Sequence, residues 1–272
     1  MQLSFSSLLS DTKNFIHNNF KMILLVLIAL AVIEQVIYIT FMPNPASLIA
    51  VQSLINNTIS TYGDNSIQSM QKMIDSMSPE QQKILFTSIF SYIYHFFMIL
   101  VGMSLITSSF SLSLISNLVK YHPINIKELF LKATNILLTM LLFLFASIPY
   151  FLILFIVATI ISPLMFFVIA AGILFYTIIS NLFIVYSVDA SNKRFLEKLN
   201  NSWQIFKKQY KLILPIIAIW FGILMLFNAL NSPYDMDNNL ILNVCISLIN
   251  LLINFFTFTY LYRLCSLIKV TN

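Results

Sequence analysis

The chain has 272 residues, of which 59% are hydrophobic and only 9% are charged, with a mean hydropathy of +0.87. A soluble domain carries about 25% charged residues, so a water-facing globular fold is excluded. The formal net charge of +5 does not indicate nucleic acid, because the basic residues lie in short stretches beside apolar runs, where they set membrane topology.

Lipid offers a backbone no hydrogen-bond partner, so long apolar runs must fold as helices, and a crossing takes about 20 residues. The expected fold class is all-α: a polytopic membrane protein with a six-transmembrane-helix bundle and an interfacial amphipathic helix, forming one integral membrane domain over 1–272. The first span is 22–41, interrupted by Glu34 and Gln35. It is too long for a signal-peptide core and lacks a small-residue cleavage site, so it reads as a retained helix. An outer loop, 43–83, follows. Within it Leu48, Val51, Ile55 and Ile59 recur at helical spacing, as do Ile67, Met70, Ile74 and Met77. Ser78-Pro79-Glu80-Gln81 then reads as a helix start, with Ser78 as N-cap, Pro79 in the first position and Gln81 closing a capping box.

The second span is 84–106, and uncharged sequence continues to Val119. The uncharged stretch between Lys132 and Asp189 is too long for one helix and fits two, with Ser162-Pro163 as the break. That gives spans 133–160 and 164–188, with a kink at Pro149 in the former. Spans 212–230 and 240–262 complete the six. Between the fourth and fifth, Phe195, Leu199, Trp203, Phe206 and Tyr210 recur at steps of four, four, three and four, with lysines on the other faces. This spacing predicts a cytoplasmic amphipathic helix over 192–211. Spans one, three and five are each approached through a short basic amphipathic stretch, which suggests a weak three-fold hairpin repeat.

Of the fifteen basic residues, all but Lys72 and Lys83 fall on one side of this alternation. The positive-inside rule makes that side cytoplasmic and places both termini there.

Groups that could carry chemistry are few. A carboxylate inside a span is a functional hypothesis by default, and Glu34 is the one acid so placed. Its bland reading, preferred here, is a tolerated acid near the outer end of its helix. His95 in the second span has no second ligand at helical spacing and reads as a packed neutral ring rather than a proton or metal site. In the last span Asn243, Ser247, Asn250, Asn254 and Thr257 recur at four, three, four and three, a polar seam that either packs between helices or lines a polar route. Packing is the favoured reading. At the membrane surface Lys193, Arg194, Lys198, Trp203, Lys207 and Lys208 form the expected lipid-interface set, with aromatics at headgroup depth and cations toward anionic lipid. His17, His122, Glu128, Asp189 and Glu197 lie near the same interface and read as solvated helix-end groups. Cys245 and Cys265 stand at opposite ends of one helix, roughly 30 Å apart, and cannot pair within a chain. No phosphate loop, nucleophile elbow or zinc-helix motif occurs, so no enzyme and no cofactor is expected.

Several stretches in order resemble the YciC family of inner-membrane proteins of Gram-negative bacteria. They are Asp11-Thr12-Lys13-Asn14-Phe15 with Ile23-Leu24-Leu25-Val26, then Met77-Ser78-Pro79-Glu80-Gln81-Gln82, and finally Tyr260-Leu261-Tyr262-Arg263-Leu264 with Leu267-Ile268. The resemblance implies a multi-pass location in the bacterial inner membrane and supplies no catalytic residues, and Glu34 is not part of its pattern. The expected function is a non-enzymatic role in organising lipid or other inner-membrane proteins in the envelope, with membrane lipids as partners. The alternative is a small-solute or lipid transporter or channel using Glu34 and the asparagine seam.

Overall fold

The structure, a computed structural model, describes residues 4–41, 53, 56, 67–120, 125–160, 165–190, 193–230 and 240–271. Every regular element among them is helical. Most of the expected outer loop, including Leu48, Val51, Ile55 and Ile59, the Ser162-Pro163 break and His122 lie outside the described residues.

The helices start and stop where local chemistry dictates. Helix α1 (Phe5–Asn18) is capped by Ser4, whose side chain accepts from the Ser7 backbone N–H while the Ser7 hydroxyl answers the Ser4 N–H. At Asn19 the chain turns: both its backbone N–H and its side-chain amide donate to the Phe15 carbonyl, and α2 (Phe20–Phe41) begins. Helix α3 (Ile67–Ser76) is followed by the capping box expected at Ser78. The Ser78 N–H donates to Gln81 Oε1 at 3.0 Å, and the Gln81 N–H donates to Ser78 Oγ at 3.3 Å. Helix α4 (Pro79–Val119) then runs unbroken for 41 residues, about 60 Å at 1.5 Å per residue. No residue between Lys83 and Lys120 carries a formal charge. Its Val101–Val119 stretch is long and apolar enough to span, so the apolar part extends past the expected 84–106.

The third span is split at Ser147 into α5 (Ile126–Ala146) and α6 (Ile148–Ile160). Pro149 supplies no N–H to the preceding turn, and the Ser147 hydroxyl bonds back to the Leu144 carbonyl at 2.6 Å. The fourth is α7 (Met165–Val188). Helix α8 (Phe195–Leu230) joins the amphipathic segment to the fifth span through a non-helical Gln209, with Pro215 one turn and a half further on. Helix α9 (Leu240–Thr271) is the sixth.

Six of these helical stretches are long and apolar enough to cross a membrane, and the protein is an all-α polytopic membrane protein. Large apolar side chains point outward along them, among them Leu25, Ile153, Phe167 and Ile241, the last 76% exposed. Water would not tolerate so continuous an apolar surface, whereas lipid does.

The chain falls into two compact units, Met1–Ile33 with Leu105–Asn272, and Glu34–Ser104. In the smaller unit α3 is pinned to the start of α4 by Gln82, whose side-chain amide donates to the Ile74 carbonyl at 2.7 Å. In the larger, α7 is central: it packs on α5, α6, α8 and α9, and α9 packs in turn on α8 and α1. An aromatic cluster joins three of these helices, with Phe143 stacked on Phe183 at 4.6 Å and Phe183 against Phe195 at 5.1 Å. Helices α6 and α7 approach closely at Gly172, where a Cβ would run into the Leu154 side chain. There the Tyr150 hydroxyl donates to the Gly172 carbonyl at 2.8 Å. Tyr150→Phe should therefore cost about 1 kcal/mol. In detergent that should lower the thermal midpoint by about 2–4 °C, and an unchanged midpoint would show that the hydroxyl contributes nothing.

Candidate functional site

The site with the most polar chemistry forms where the lysine-rich ends of α4, α5, α7 and α9 meet, wholly inside the larger unit. It begins with a seam of small residues on α4. Ser109, Ser113 and Ser116 recur at steps of four and three and are essentially fully buried. Serine is small enough to let a neighbouring helix approach, and its hydroxyl bonds across the gap: Ser113 Oγ donates to the Leu129 carbonyl of α5 at 2.8 Å. One turn on, Ser116 Oγ accepts from Lys132 Nζ of α5 and lies 3.4 Å from Asp189 Oδ1, to which it can donate. Asp189, just past the end of α7, is the hub. The Tyr262 hydroxyl of α9 donates to its Oδ2 at 2.5 Å, and Lys120 Nζ pairs with its Oδ1 at 3.3 Å. The Asp189 side chain is 24% exposed and Tyr262 is buried, so the bond between phenol and carboxylate is made largely out of water, where charge-assisted bonds are strong. The Lys120 side chain, by contrast, is 49% exposed and its ion pair is screened.

Beside this network opens a cavity of about 670 Å³. Its charged lining is Lys120, Lys132 and Lys198 against Glu128 and Asp189, and its apolar wall runs along α5 through Leu131, Ile136 and Leu138. Lys198 is unusual here. The residue is only 8% exposed, and among the described residues its ammonium has no ion pair and no hydrogen-bond partner.

A second ionic contact secures the N-terminal helix. Arg263 of α9 grips Asp11 of α1 through two parallel bonds, Nε to Oδ2 at 2.6 Å and Nη2 to Oδ1 at 2.8 Å. Phe5 packs against the buried Tyr260 ring at 5.8 Å. The two terminal helices are thus fastened at the same end of the unit.

The residues singled out from the sequence are distributed differently. The segment from Phe195 to Gln209 is helical as expected, but its aromatic face packs on protein. Phe195, Leu199, Trp203 and Phe206 lie against the core, and Trp203 meets Phe175 of α7 at 5.9 Å. Its cations divide into two sets. Lys198 is buried, while Lys193, Arg194, Lys207 and Lys208 are exposed, with Lys207 Nζ 5.0 Å from the Trp203 ring centre. Lys193 donates to the Tyr186 hydroxyl at 3.0 Å and pairs with Glu197 at 3.4 Å. The bond to Tyr186 holds its ammonium above the usual lysine range.

In the smaller unit His95 Nδ1 lies 2.7 Å from the Ser91 carbonyl one turn back and donates to it. Glu34 has a buried Oε2 with no hydrogen-bond partner among the described residues. In the seam of α9 the middle is occupied, since Asn254 Oδ1 accepts from Trp220 Nε1 of α8 at 2.7 Å and Ser247 is buried. The side-chain carbonyls of Asn243 and Asn250 are buried without a partner among the described residues. Sequence reasoning missed Ser116, Lys120, Lys132 and Tyr262 and left Asp189 as a solvated helix-end acid. The signal available was the serine spacing on α4, which has the same four-three rhythm as the asparagine seam.

No curated protein and no solved structure matches the chain. The model of the Uncharacterised protein family UPF0259 matches residues 1–267, essentially the whole length, and the chain belongs to that family.

Proposed function

We propose that this is a non-enzymatic protein of the bacterial inner membrane, with both termini cytoplasmic, whose lysine-rich face engages anionic phospholipid and so organises lipid or neighbouring membrane proteins in the envelope. The sided distribution of the basic residues supports the orientation. The observation that carries the lipid reading is how the start of α8 holds its cations. Its aromatic face is fixed on α7 and the core, while Arg194, Lys207, Lys208 and Lys211 are exposed. The Lys207 ammonium is steadied over the Trp203 ring, a cation–π contact that costs it no charge. Cations so displayed attract an anionic leaflet by about 1 kcal/mol each. The Trp220–Asn254 bond supports this reading over a transport route, because it takes the centre of the α9 seam for helix packing.

The test is lipid selectivity of the full-length protein in mixed vesicles, read with spin-labelled phosphatidylglycerol against phosphatidylcholine. Replacing Arg194, Lys207, Lys208 and Lys211 together with glutamine should lower the preference for the anionic lipid by about threefold or more. An unchanged preference would remove lipid engagement from this segment.

A further inference from the structure

We propose that the cavity between α5, α7 and α8 is a specific binding site for one phosphate group, and that Lys198 is its principal ligand. The inference deepens the lipid reading above and rests on it for the source of the phosphate. Four observations carry it. First, Lys198 lines the cavity, is more than nine-tenths buried and has no counter-charge or hydrogen-bond partner among the described residues. The residue is buried but its ammonium opens on the cavity with no counter-charge among the described residues, so the cavity is complementary to an anion.

Second, the acids present do not neutralise it. Asp189 is already committed to Lys120, Tyr262 and Ser116, and Glu128 sits exposed in the first turn of α5. Third, Lys132 and Lys120 flank the same space and retain donors. Each ammonium has three, and the contacts to Ser116 and Asp189 use one apiece. Three ammoniums facing two carboxylates leave a net positive cavity, and a phosphate with several acceptor oxygens can bridge separate lysines.

Fourth, the cavity is amphipathic along its length. Glu128, Lys132, Asn135 and Thr139 follow one face of α5 inward, and Leu131 and Leu138 beside them are 58% and 54% exposed. From Glu128 to Thr139 that face runs about 16 Å. A charged mouth continued by exposed leucines suits a phosphate attached to an acyl chain better than free phosphate, although both share the recognising chemistry.

The experiment uses full-length protein purified in detergent and stripped of lipid. Binding of inorganic phosphate, of phosphatidic acid and of zwitterionic phosphatidylcholine is followed by native mass spectrometry and by thermal stabilisation. One retained phosphatidic acid per chain, bound at least tenfold more weakly by Lys198→Gln and nearly normally by Lys198→Arg, upholds the site with a lipid source. The same sensitivity to Lys198→Gln with inorganic phosphate alone upholds it with a soluble source. No retention of either ligand by the wild type overturns the proposal, as does retention that Lys198→Gln leaves intact. The wild-type result stands whether or not the glutamine variant folds. Failure here is separable from failure of the surface reading. The Arg194, Lys207, Lys208 and Lys211 variant should lose bulk anionic selectivity and keep the single tight molecule, whereas Lys198→Gln should do the reverse.

Discussion

Asp189→Ala is expected to lower the thermal midpoint of the purified protein by about 5–10 °C, the largest single-residue effect at the lysine-rich end. The carboxylate accepts from Tyr262 and Ser116 and pairs with Lys120, and Lys132 reaches it through the Ser116 hydroxyl. Removing it leaves the buried Tyr262 phenol only its longer bond to Ser116 Oγ, at 3.3 Å, and leaves two ammoniums close together with no acid between them. Breaking a buried pair by deleting one partner costs about 3–5 kcal/mol, and the 24% exposure of the Asp189 side chain brings the expectation down to about 2–3 kcal/mol. Lys120→Ala should cost less than about 1 kcal/mol, because that side chain is 49% exposed. The decisive comparison is Asp189→Ala combined with Tyr262→Phe. Deleting both partners of a hydrogen bond is far milder than deleting one, so the double variant should recover part of the loss. If the two effects simply add, the carboxylate and the phenol are not coupled and the network is a coincidence of proximity.

What the sequence made legible was local. The spans follow from apolar runs, because lipid leaves a backbone no alternative to helix. The helix start at Ser78 follows from a capping box closed over three residues, and the break before Pro149 follows from a missing N–H. The site depended on contacts that leave no local trace. Ser116 and Asp189 are 73 residues apart, and Asp11 and Arg263 are 252 apart. Helix α1 was legible only at its end, as the basic amphipathic stretch before span one, because few of its residues are fully buried: Leu8 and Thr12 are its buried residues, and Thr12 satisfies its hydroxyl on the Leu8 carbonyl at 2.9 Å.

Lys198 was hidden by residue type. Lys198, Ser202 and Ile205 are all buried at steps of four and three, a second ridge beside the aromatic one. A lysine and a serine do not register as apolar, so the segment read as one stripe with solvated flanks. Tertiary packing widened the buried arc, since the Ser202 hydroxyl turns inward to the Lys198 carbonyl at 2.8 Å and lets its neighbour close over it.

Arg263→Ala should detach α1 while leaving the rest of the larger unit folded. The guanidinium makes two charge-assisted bonds to Asp11 in the fork geometry that suits a carboxylate, at 2.6 and 2.8 Å. Its side chain is 26% exposed and that of Asp11 is 39% exposed, so solvent screens the pair and the expected loss is about 1.5 kcal/mol. Because α1 is otherwise held along one apolar face, by Leu8 with Phe5, Leu9 and Ile16, that loss should appear as local opening rather than global unfolding. Amide exchange over Phe5–Asn18 should accelerate about tenfold, with exchange in α7 unchanged. Exchanging the charges, Asp11→Arg with Arg263→Asp, should restore much of the protection, since the attraction survives the swap even where the fork geometry does not. Arginine's long stem also packs as an apolar body, so Arg263→Ala alone could act through lost contact. Rescue by the swapped pair separates the two, because a packing defect would persist in it and an electrostatic one would not.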